Sequence, residues 1–189
     1  MSKKEMRERR QAERRQRQLL TLAGAVGIGV IAVIGFFVLN ITSGPLPGEM
    51  YIPDEGAGHV AEGTVIPYQH HPPSSGPHYP TPAPWGIALE PVQESVFVHN
   101  LEHGGVVFLY NCSEDCSALE QQFRDFYAAA PPESAFKEVK ILVSPYTQPL
   151  PTPIVALAWD HQLNLEKFDA DLLLRWYQRF VNKGPELVP

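Results

Sequence analysis

The sequence has 189 residues and a formal net charge of −6, but the charge is unevenly distributed. Residues 1–18 hold eight of the 15 Lys and Arg and only three of the 21 Asp and Glu, so the remainder carries a formal charge of −11. This acidic remainder excludes nucleic acid as an expected partner and predicts a soluble domain that avoids anionic lipid headgroups.

The N-terminal region predicts a membrane anchor. Residues 19–41 form a stretch without a charged side chain, and a helix rising roughly 1.5 Å per residue over this length spans a bilayer core of roughly 30 Å. The stretch is longer than the apolar region of a signal peptide, so we expect it to be retained. The positive-inside rule places the basic tail, residues 1–18, in the cytoplasm. The prediction is a single-pass cell-membrane protein, held in the lipid bilayer by one helix, with its C-terminal part extracytoplasmic.

The next part of the chain is rich in proline. Residues 42–58 contain Gly and Pro without an apolar period, which predicts a linker to one extracytoplasmic globular domain, residues 59–189. Ten of the 19 prolines lie between Pro45 and Pro84. We therefore expect the Pro-rich segment, residues 59–91, to be extended and irregular, because proline removes a backbone donor and fixes φ. Its Tyr and Trp residues give it apolar surface to bury, which argues against disorder.

The rest of the chain has regular periodicity. Short runs of β-forming residues predict strands, and apolar residues at helical spacing predict amphipathic helices. Ser117 and Glu120 fit a capping box for the first of these helices, and Asp169 fits the N-cap of the last. The predicted class is α/β (α+β), in the order strand 105–110, helix 117–129, strands 139–144, 154–159 and 162–168, and a helix after Asp169.

Histidine is concentrated in two short segments. Residues 70–78 and 99–103 together hold five of the seven histidines. If the chain is helical through His99, the i, i+4 spacing places His99 and His103 on one face, where both imidazoles can bind one transition metal. The alternative is that these histidines cap turns or hydrogen-bond to backbone near the prolines. We predict a metal site formed by His71, His78, His99 and His103, with His70 and Glu102 as second choices.

Residues 99–103 also match H-x-x-E-H, the inverted zinc-peptidase motif, in which the Glu activates a metal-bound water. That motif requires a sustained helix and a further ligand from another helix. Gly104 and Gly105 end any helix at once. No Ser-His-Asp triad or phosphate-binding Gly loop can be assigned from spacing either, so the sequence leaves enzymatic activity open.

Two cysteines, Cys112 and Cys116, lie between the first predicted strand and helix, in a compartment where thiols oxidise. They can form a disulfide, a redox pair or soft metal ligands; a thiol at a helix N-terminus has a lowered pKa. The segment resembles the C-x₃-C of the copper-delivering assembly factors of cytochrome oxidase, which are also anchored by one helix. This resemblance implies copper rather than zinc. The binuclear copper loop of oxidase subunit II is a poorer comparison, because the expected His and Met are missing after Cys116.

Two resemblances cover longer parts of the chain. From Val106 to Lys183, the element order, the position of the Cys pair and Thr152-Pro153 before the third strand resemble the thioredoxin-like fold. From about His59 to Pro185, the chain resembles an uncharacterised bacterial family, domain of unknown function 3105. The segments that carry the family resemblance are His71-Pro-Pro-Ser-Ser-Gly-Pro-His78, Pro84-Trp85-Gly86, Val98-His-Asn-Leu-Glu-His-Gly-Gly-Val106 and Ala156-Leu-Ala-Trp159. The family implies limits for the domain and no activity.

The expected function is metal binding by a membrane-anchored extracytoplasmic domain, with copper handling favoured. A rival of a different class is a non-catalytic accessory or interaction subunit of a membrane protein complex, in which the Pro-rich segment is a docking surface and the histidines are structural. A weaker rival is a thiol oxidoreductase.

Overall fold

A computed structural model describes residues 44–112 and 115–189. The chain divides into two units, Met1–Pro45 and Leu46–Pro189, and the fold described here is that of the second. The predicted cytoplasmic tail, residues 1–18, and the predicted membrane helix, residues 19–41, lie outside the described residues. None of the helices in the described part of the chain is long and apolar enough to cross a membrane.

The described residues of the second unit contain eight strands. In chain order, the strands of the described residues are β1 (Glu49–Tyr51), β2 (Ala57–His59), β3 (Gly76–His78), β4 (Gly86–Ile87), β5 (Val106–Tyr110), β6 (Ile141–Pro145), β7 (Ile154–Ala158) and β8 (His161–Leu165). Six of them form a mixed sheet in the order β1-β8-β7-β5-β6-β4, and β2 and β3 form a separate parallel pair. Within the large sheet, β5 is parallel to β6 and antiparallel to β7, and β7 is antiparallel to β8.

Three helices are present in the described residues: α1 (Glu94–Glu102), α2 (Ser117–Ala129) and α3 (Ala170–Phe180). Together with the sheet they confirm the mixed α/β class. The predicted N-cap of α3 is also confirmed, because the Asp169 carboxylate accepts a hydrogen bond of 2.9 Å from the Leu172 N–H.

The predicted capping box of α2 is wrong. The N-cap residue is Cys116, and its side chain makes no capping hydrogen bond. Instead, the Asp115 carboxylate accepts hydrogen bonds from the Ser117 N–H at 2.9 Å and the Ser117 hydroxyl at 2.8 Å. Asp115 thus takes the Ser117 N–H, the donor that the capping box assigned to the Glu120 side chain. The Glu120 N–H, which the box assigned to the Ser117 hydroxyl, donates instead to the Cys116 carbonyl at 2.9 Å.

Both faces of the large sheet are buried, because alternate side chains of β5 pack into two different apolar clusters. Val106 and Phe108 lie in one apolar cluster with buried residues of α2 and α3, whereas Val107 and Leu109 lie in a second cluster with residues of α1 and the Pro-rich segment. All five residues of β5 are buried. A strand that is buried on both faces has a continuous apolar sequence, which is the pattern that predicted it.

Part of the predicted linker, residues 42–58, belongs to the fold. β1 pairs with β8, with Glu49 opposite Leu163, and the adjacent Ile52 is only 4% exposed. An edge strand of three residues forms through backbone hydrogen bonds to its neighbour and needs no periodic side-chain pattern. Composition therefore gave no sign of β1.

Candidate metal centre

Four histidines and two glutamates converge where α1 ends. The ligand atoms of His59, His78, His99 and Glu102 all lie within 4.8 Å of one another, and so do those of Glu102, His103 and Glu186. We call these six residues the His/Glu cluster. They come from β2, β3, α1 with its C-cap, and the C-terminal tail after α3.

Helical spacing at the end of α1 places three members of the cluster. His99, Glu102 and His103 are at i, i+3 and i+4, so their side chains share one face. The rings of His99 and His103 have centroids 4.5 Å apart. α1 ends here because Gly104 has a φ of +72°, and a Cβ at this position would lie 2.7 Å from the Asn182 Cα. The last residue of α1 is Glu102, so the helix ends before Gly104 and Gly105, as the sequence predicts.

The parallel pairing of β2 and β3 adds two more imidazoles. His59 and His78 are directly opposite in the register, and their ring centroids are 5.0 Å apart. The His59 ring also stacks on His99 at a centroid distance of 4.9 Å. Two strands of three residues thus carry their terminal histidines to the last turn of α1.

The C-terminal tail supplies the sixth member. Gly184 packs against the end of α1 so closely that a Cβ would lie 2.2 Å from the Glu102 carbonyl oxygen and 2.4 Å from the Gly104 nitrogen. Two residues later, the Glu186 N–H donates to the Glu102 carbonyl at 3.0 Å. The Glu186 carboxylate then lies 3.9 Å from His103 Nε2.

Backbone carbonyls fix the orientation of the two most buried rings. His78 Nδ1 lies 2.8 Å from the Gly76 carbonyl oxygen, and His99 Nδ1 lies 2.7 Å from the Tyr79 carbonyl oxygen. A carbonyl can only accept, so both rings donate from Nδ1, and in a neutral ring Nε2 then carries a lone pair. Both Nε2 atoms face the cluster. Histidines that bind metal ions show this arrangement, with the other ring N–H donated to a carbonyl or carboxylate.

Burial keeps part of the cluster uncharged. Burial lowers the pKa of His99, and the neighbouring His78 and His59 lower it further. Burial also lowers the pKa of His103, and His99 adds to this effect. Both shifts are downward from the ordinary pKa of about 6.5 and favour the neutral ring, which presents a lone pair.

The dimensions of the cluster suit a metal ion. His78 Nε2 lies 2.9 Å and His59 Nε2 lies 3.4 Å from Glu102 Oε2. Bonds of about 2.0–2.1 Å in a tetrahedral site separate neighbouring donors by about 3.3 Å. The remaining separations, up to 4.8 Å, close with side-chain shifts of about 1 Å. The His59 side chain is 48% exposed, which leaves it free to make such a shift.

Of the residues predicted as ligands, the structure brings together His78, His99, His103 and Glu102. His71 and His70 lie elsewhere. His71 Nδ1 is 3.0 Å from Glu94 Oε1, and His70 Nε2 is 3.0 Å from Gln162 Oε1. The segment between His71 and His78 is irregular apart from β3. The spacing of these two histidines in the sequence therefore does not determine whether their side chains lie on the same side of the chain.

Sequence reasoning missed His59 and Glu186. His59 has no histidine close to it along the chain, and its pairing with His78 joins strands too short to recognise. Glu186 lies in the C-terminal tail, two residues after Gly184. The close packing of Gly184 against Glu102 is a long-range contact with no local signature.

The cysteines lie apart from the cluster. Cys112 and Cys116 are joined by a disulfide beyond the C-terminal end of β5, whereas His103 lies three residues before the start of β5. Five strand residues at about 3.3 Å each separate these ends by roughly 16 Å. Neither cysteine belongs to a group of metal-ligating side chains within residues 44–112 and 115–189.

Comparison with known proteins gives a family for this chain. The family described as "Protein of unknown function (DUF3105)" matches residues 59–188, a span that contains all six members of the His/Glu cluster. No curated protein and no solved structure matches the chain.

Proposed function

The chain belongs to the DUF3105 family, which is described as of unknown function, and on that premise we propose that it binds a transition-metal ion through His59, His78, His99 and Glu102. The orientation of His78 and His99 carries the proposal. Each ring donates Nδ1–H to a carbonyl and directs Nε2 into the cluster. A buried Nε2 lone pair 2.9 Å from a carboxylate oxygen is unfavourable unless a proton or a cation lies between them.

The donor set narrows the choice of ion. Three imidazole nitrogens and one carboxylate oxygen suit Zn²⁺, Cu²⁺, Ni²⁺ and Fe²⁺, and the affinity order of divalent ions places Cu²⁺ first. Thiolate and thioether, which select Cu(I), are absent from these four residues. We therefore propose copper as Cu²⁺, with Zn²⁺ the nearest competitor. The exposed His59 gives the ion a route from solvent.

We also propose that the metal-binding unit is held outside the cell membrane by the predicted helix of residues 19–41, with residues 1–18 in the cytoplasm. The distribution of charge along the chain supports this topology. Protease added to intact spheroplasts should cleave after residue 42 and leave the basic tail intact. Protection of the folded unit in sealed spheroplasts would contradict the topology.

For the fold, we infer a thioredoxin-like core made of β5–β8, α2 and α3. Three features support this inference: β5, α2 and parallel β6 form a βαβ unit, β7 and β8 form the following hairpin, and α3 packs on the same face as α2. The proposed metal site lies outside this core in sequence order, on β2, β3 and α1.

The metal-binding proposal is tested by metal content. The full chain, purified in detergent and stripped with a chelator, is reloaded with Cu²⁺ or with Zn²⁺ and desalted, and metal per chain is measured by mass spectrometry. We expect one or more ions in the wild type and an affinity at least about tenfold weaker in His59→Ala and His78→Ala, because loss of a ligand weakens the whole site. His70→Ala and His71→Ala are matched controls and should retain wild-type affinity.

Folding of each variant is checked by circular dichroism. His59→Ala is the decisive variant, since His59 is exposed and its removal leaves the core intact. Wild-type affinity in both His59→Ala and His78→Ala, or a loss in His71→Ala equal to theirs, would overturn the proposed ligand set.

A further inference from the structure

We propose that the His/Glu cluster holds two metal ions, with the Glu102 carboxylate shared between them. This inference rests on the proposed function and extends it. The first ion is the one bound by His59, His78, His99 and Glu102. The second is bound by Glu102, His103 and Glu186.

The two groups of donors overlap at one residue. The ligand atoms of Glu102, His103 and Glu186 lie within 4.8 Å of one another, as do those of the first group. Glu102 is common to both, and a carboxylate has two oxygens with about four lone-pair sites, enough to serve two ions. The Glu102 side chain is only 6% exposed, so it lies inside the cluster, where both groups of donors can share it.

The contact between His99 and His103 provides separate support. Their Nε2 atoms lie only 2.9 Å apart. His99 donates its one N–H to the Tyr79 carbonyl. With Nδ1 of His99 donating to that carbonyl, Nε2 of His99 faces Nε2 of His103. His99 is a donor of the first group and His103 of the second, so the two groups of donors are adjacent at these two nitrogens.

The dimensions fit a pair of ions. Paired metal ions in proteins lie about 3.5–4 Å apart, which is the separation expected when neighbouring imidazoles such as His99 and His103 each bind a different ion. Glu186 belongs to the second position alone, since its carboxylate lies 3.9 Å from His103 Nε2 and is not among the first group of donors.

The two positions differ in the number of protein donors. Each has one half-exposed member, His59 at 48% in the first group and Glu186 at 49% in the second, but the first group has four donors and the second has three. A position with three protein donors at the surface keeps room for water, as open metal sites do. The second ion should therefore bind more weakly, exchange faster and accept a small oxygen ligand such as hydroxide or phosphate.

Zn²⁺ stoichiometry tests the inference on the full chain in detergent. Titration of the metal-free protein with Zn²⁺ against a competing chelator should give two ions per wild-type chain, one tight and one weaker. Glu186→Gln and His103→Ala should each bind one. Glu166→Gln, which removes an exposed carboxylate away from the cluster, is the matched control and should bind two.

Cu²⁺ loading gives a second readout that does not depend on counting alone. Two Cu²⁺ ions bridged by one carboxylate couple their spins, so the wild type should show a half-field resonance and reduced signal intensity. Glu186→Gln should show an uncoupled signal from one ion.

Each result has a distinct meaning. One ion per wild-type chain, lost in His59→Ala, would overturn the second ion and leave the proposed function standing. No bound ion would overturn the proposed function itself. Two uncoupled ions, or two ions retained in Glu186→Gln and His103→Ala, would place the second ion elsewhere and overturn the shared carboxylate.

Discussion

The two ends of β5 carry two sets of metal-ligating residue types, and they are built differently. At its start, the His/Glu cluster gathers side chains from distant segments, and backbone carbonyls orient its rings. Beyond its end, Cys112 and Cys116 are four residues apart and bonded to each other. A disulfide offers no thiolate, which is the form of cysteine that binds metal. The comparison favours the start of β5, the histidine end, for the proposed metal binding, and the cysteines beyond the other end form a local crosslink.

The largest effect on stability is expected from Gly184→Ala, because the histidine end depends on close backbone packing. A Cβ at Gly184 would lie 2.2–2.5 Å from backbone atoms of Glu102, Gly104 and Leu101. Since backbone cannot rotate away as a side chain can, we expect a loss of about 3 kcal/mol in the free energy of unfolding. The variant should also lose the second ion, because Glu186 is displaced. Urea denaturation and Zn²⁺ titration measure the two effects.

Gly58→Ala is the matched control, since a Cβ at Gly58 meets nothing within 4 Å. It should change stability by no more than about 0.5 kcal/mol. If Gly184→Ala proved equally silent, the tail would not pack against α1 as described.

The cysteine end should respond in the opposite way. A bridge that closes a loop of about five residues stabilises by about 2 kcal/mol through restriction of the unfolded chain. The Cys112→Ser, Cys116→Ser double variant should lose that amount while binding Cu²⁺ and Zn²⁺ with wild-type stoichiometry. A fall in metal content without unfolding would bring the cysteines into the site.

A smaller, pH-dependent effect is expected at Glu133. Burial of the Glu133 carboxylate raises its pKa. The carboxylate also accepts hydrogen bonds from the Asn182 amide at 2.6 Å and from the Ala135 and Phe136 N–H groups. These hydrogen bonds outweigh the effect of burial and lower the pKa of Glu133 to about 2. Asn182 in turn donates its backbone N–H to the Gly104 carbonyl at 2.7 Å. Glu133 thus supports the segment that follows α1.

The direction of the pH effect follows from the lowered pKa. The stabilisation by Glu133 is complete above the ordinary pKa of about 4.5 and is lost as the pH falls towards 2. Glu133→Gln should therefore be less stable than the wild type at pH 7, and the gap between their urea midpoints should narrow at pH 3. A gap of constant size would show that ionisation of Glu133 is not involved.

The sequence predicted those helices and strands whose geometry is set by residues close together in the chain. The buried strands and the amphipathic helices follow from apolar periodicity, and α2 has the predicted limits. The i, i+4 spacing predicted that His99 and His103 lie together, because a helix fixes which side chains share a face, and Glu102 was the second choice from the same turn. These are the elements in which neighbouring residues decide the geometry.

The remaining members of the site depend on long-range contacts. His59 reaches the cluster through the pairing of two three-residue strands, and Glu186 through the packing of Gly184 on α1. Neither contact has a period or a turn signature. His71 was selected because it is close to His78 in sequence, but the irregular chain between them directs it to Glu94.

X-ray absorption at the metal edge of the reloaded full chain tests the central claim most directly, because it identifies the atoms bound to the ion. The His/Glu cluster predicts a shell of nitrogen and oxygen at about 2.0 Å with outer scattering from imidazole, for Cu²⁺ and for Zn²⁺. The same spectrum should be obtained from the Cys112→Ser, Cys116→Ser variant. A sulfur shell at about 2.3 Å in the wild type, lost in that variant, would contradict the assignment of metal binding to the histidine end of β5.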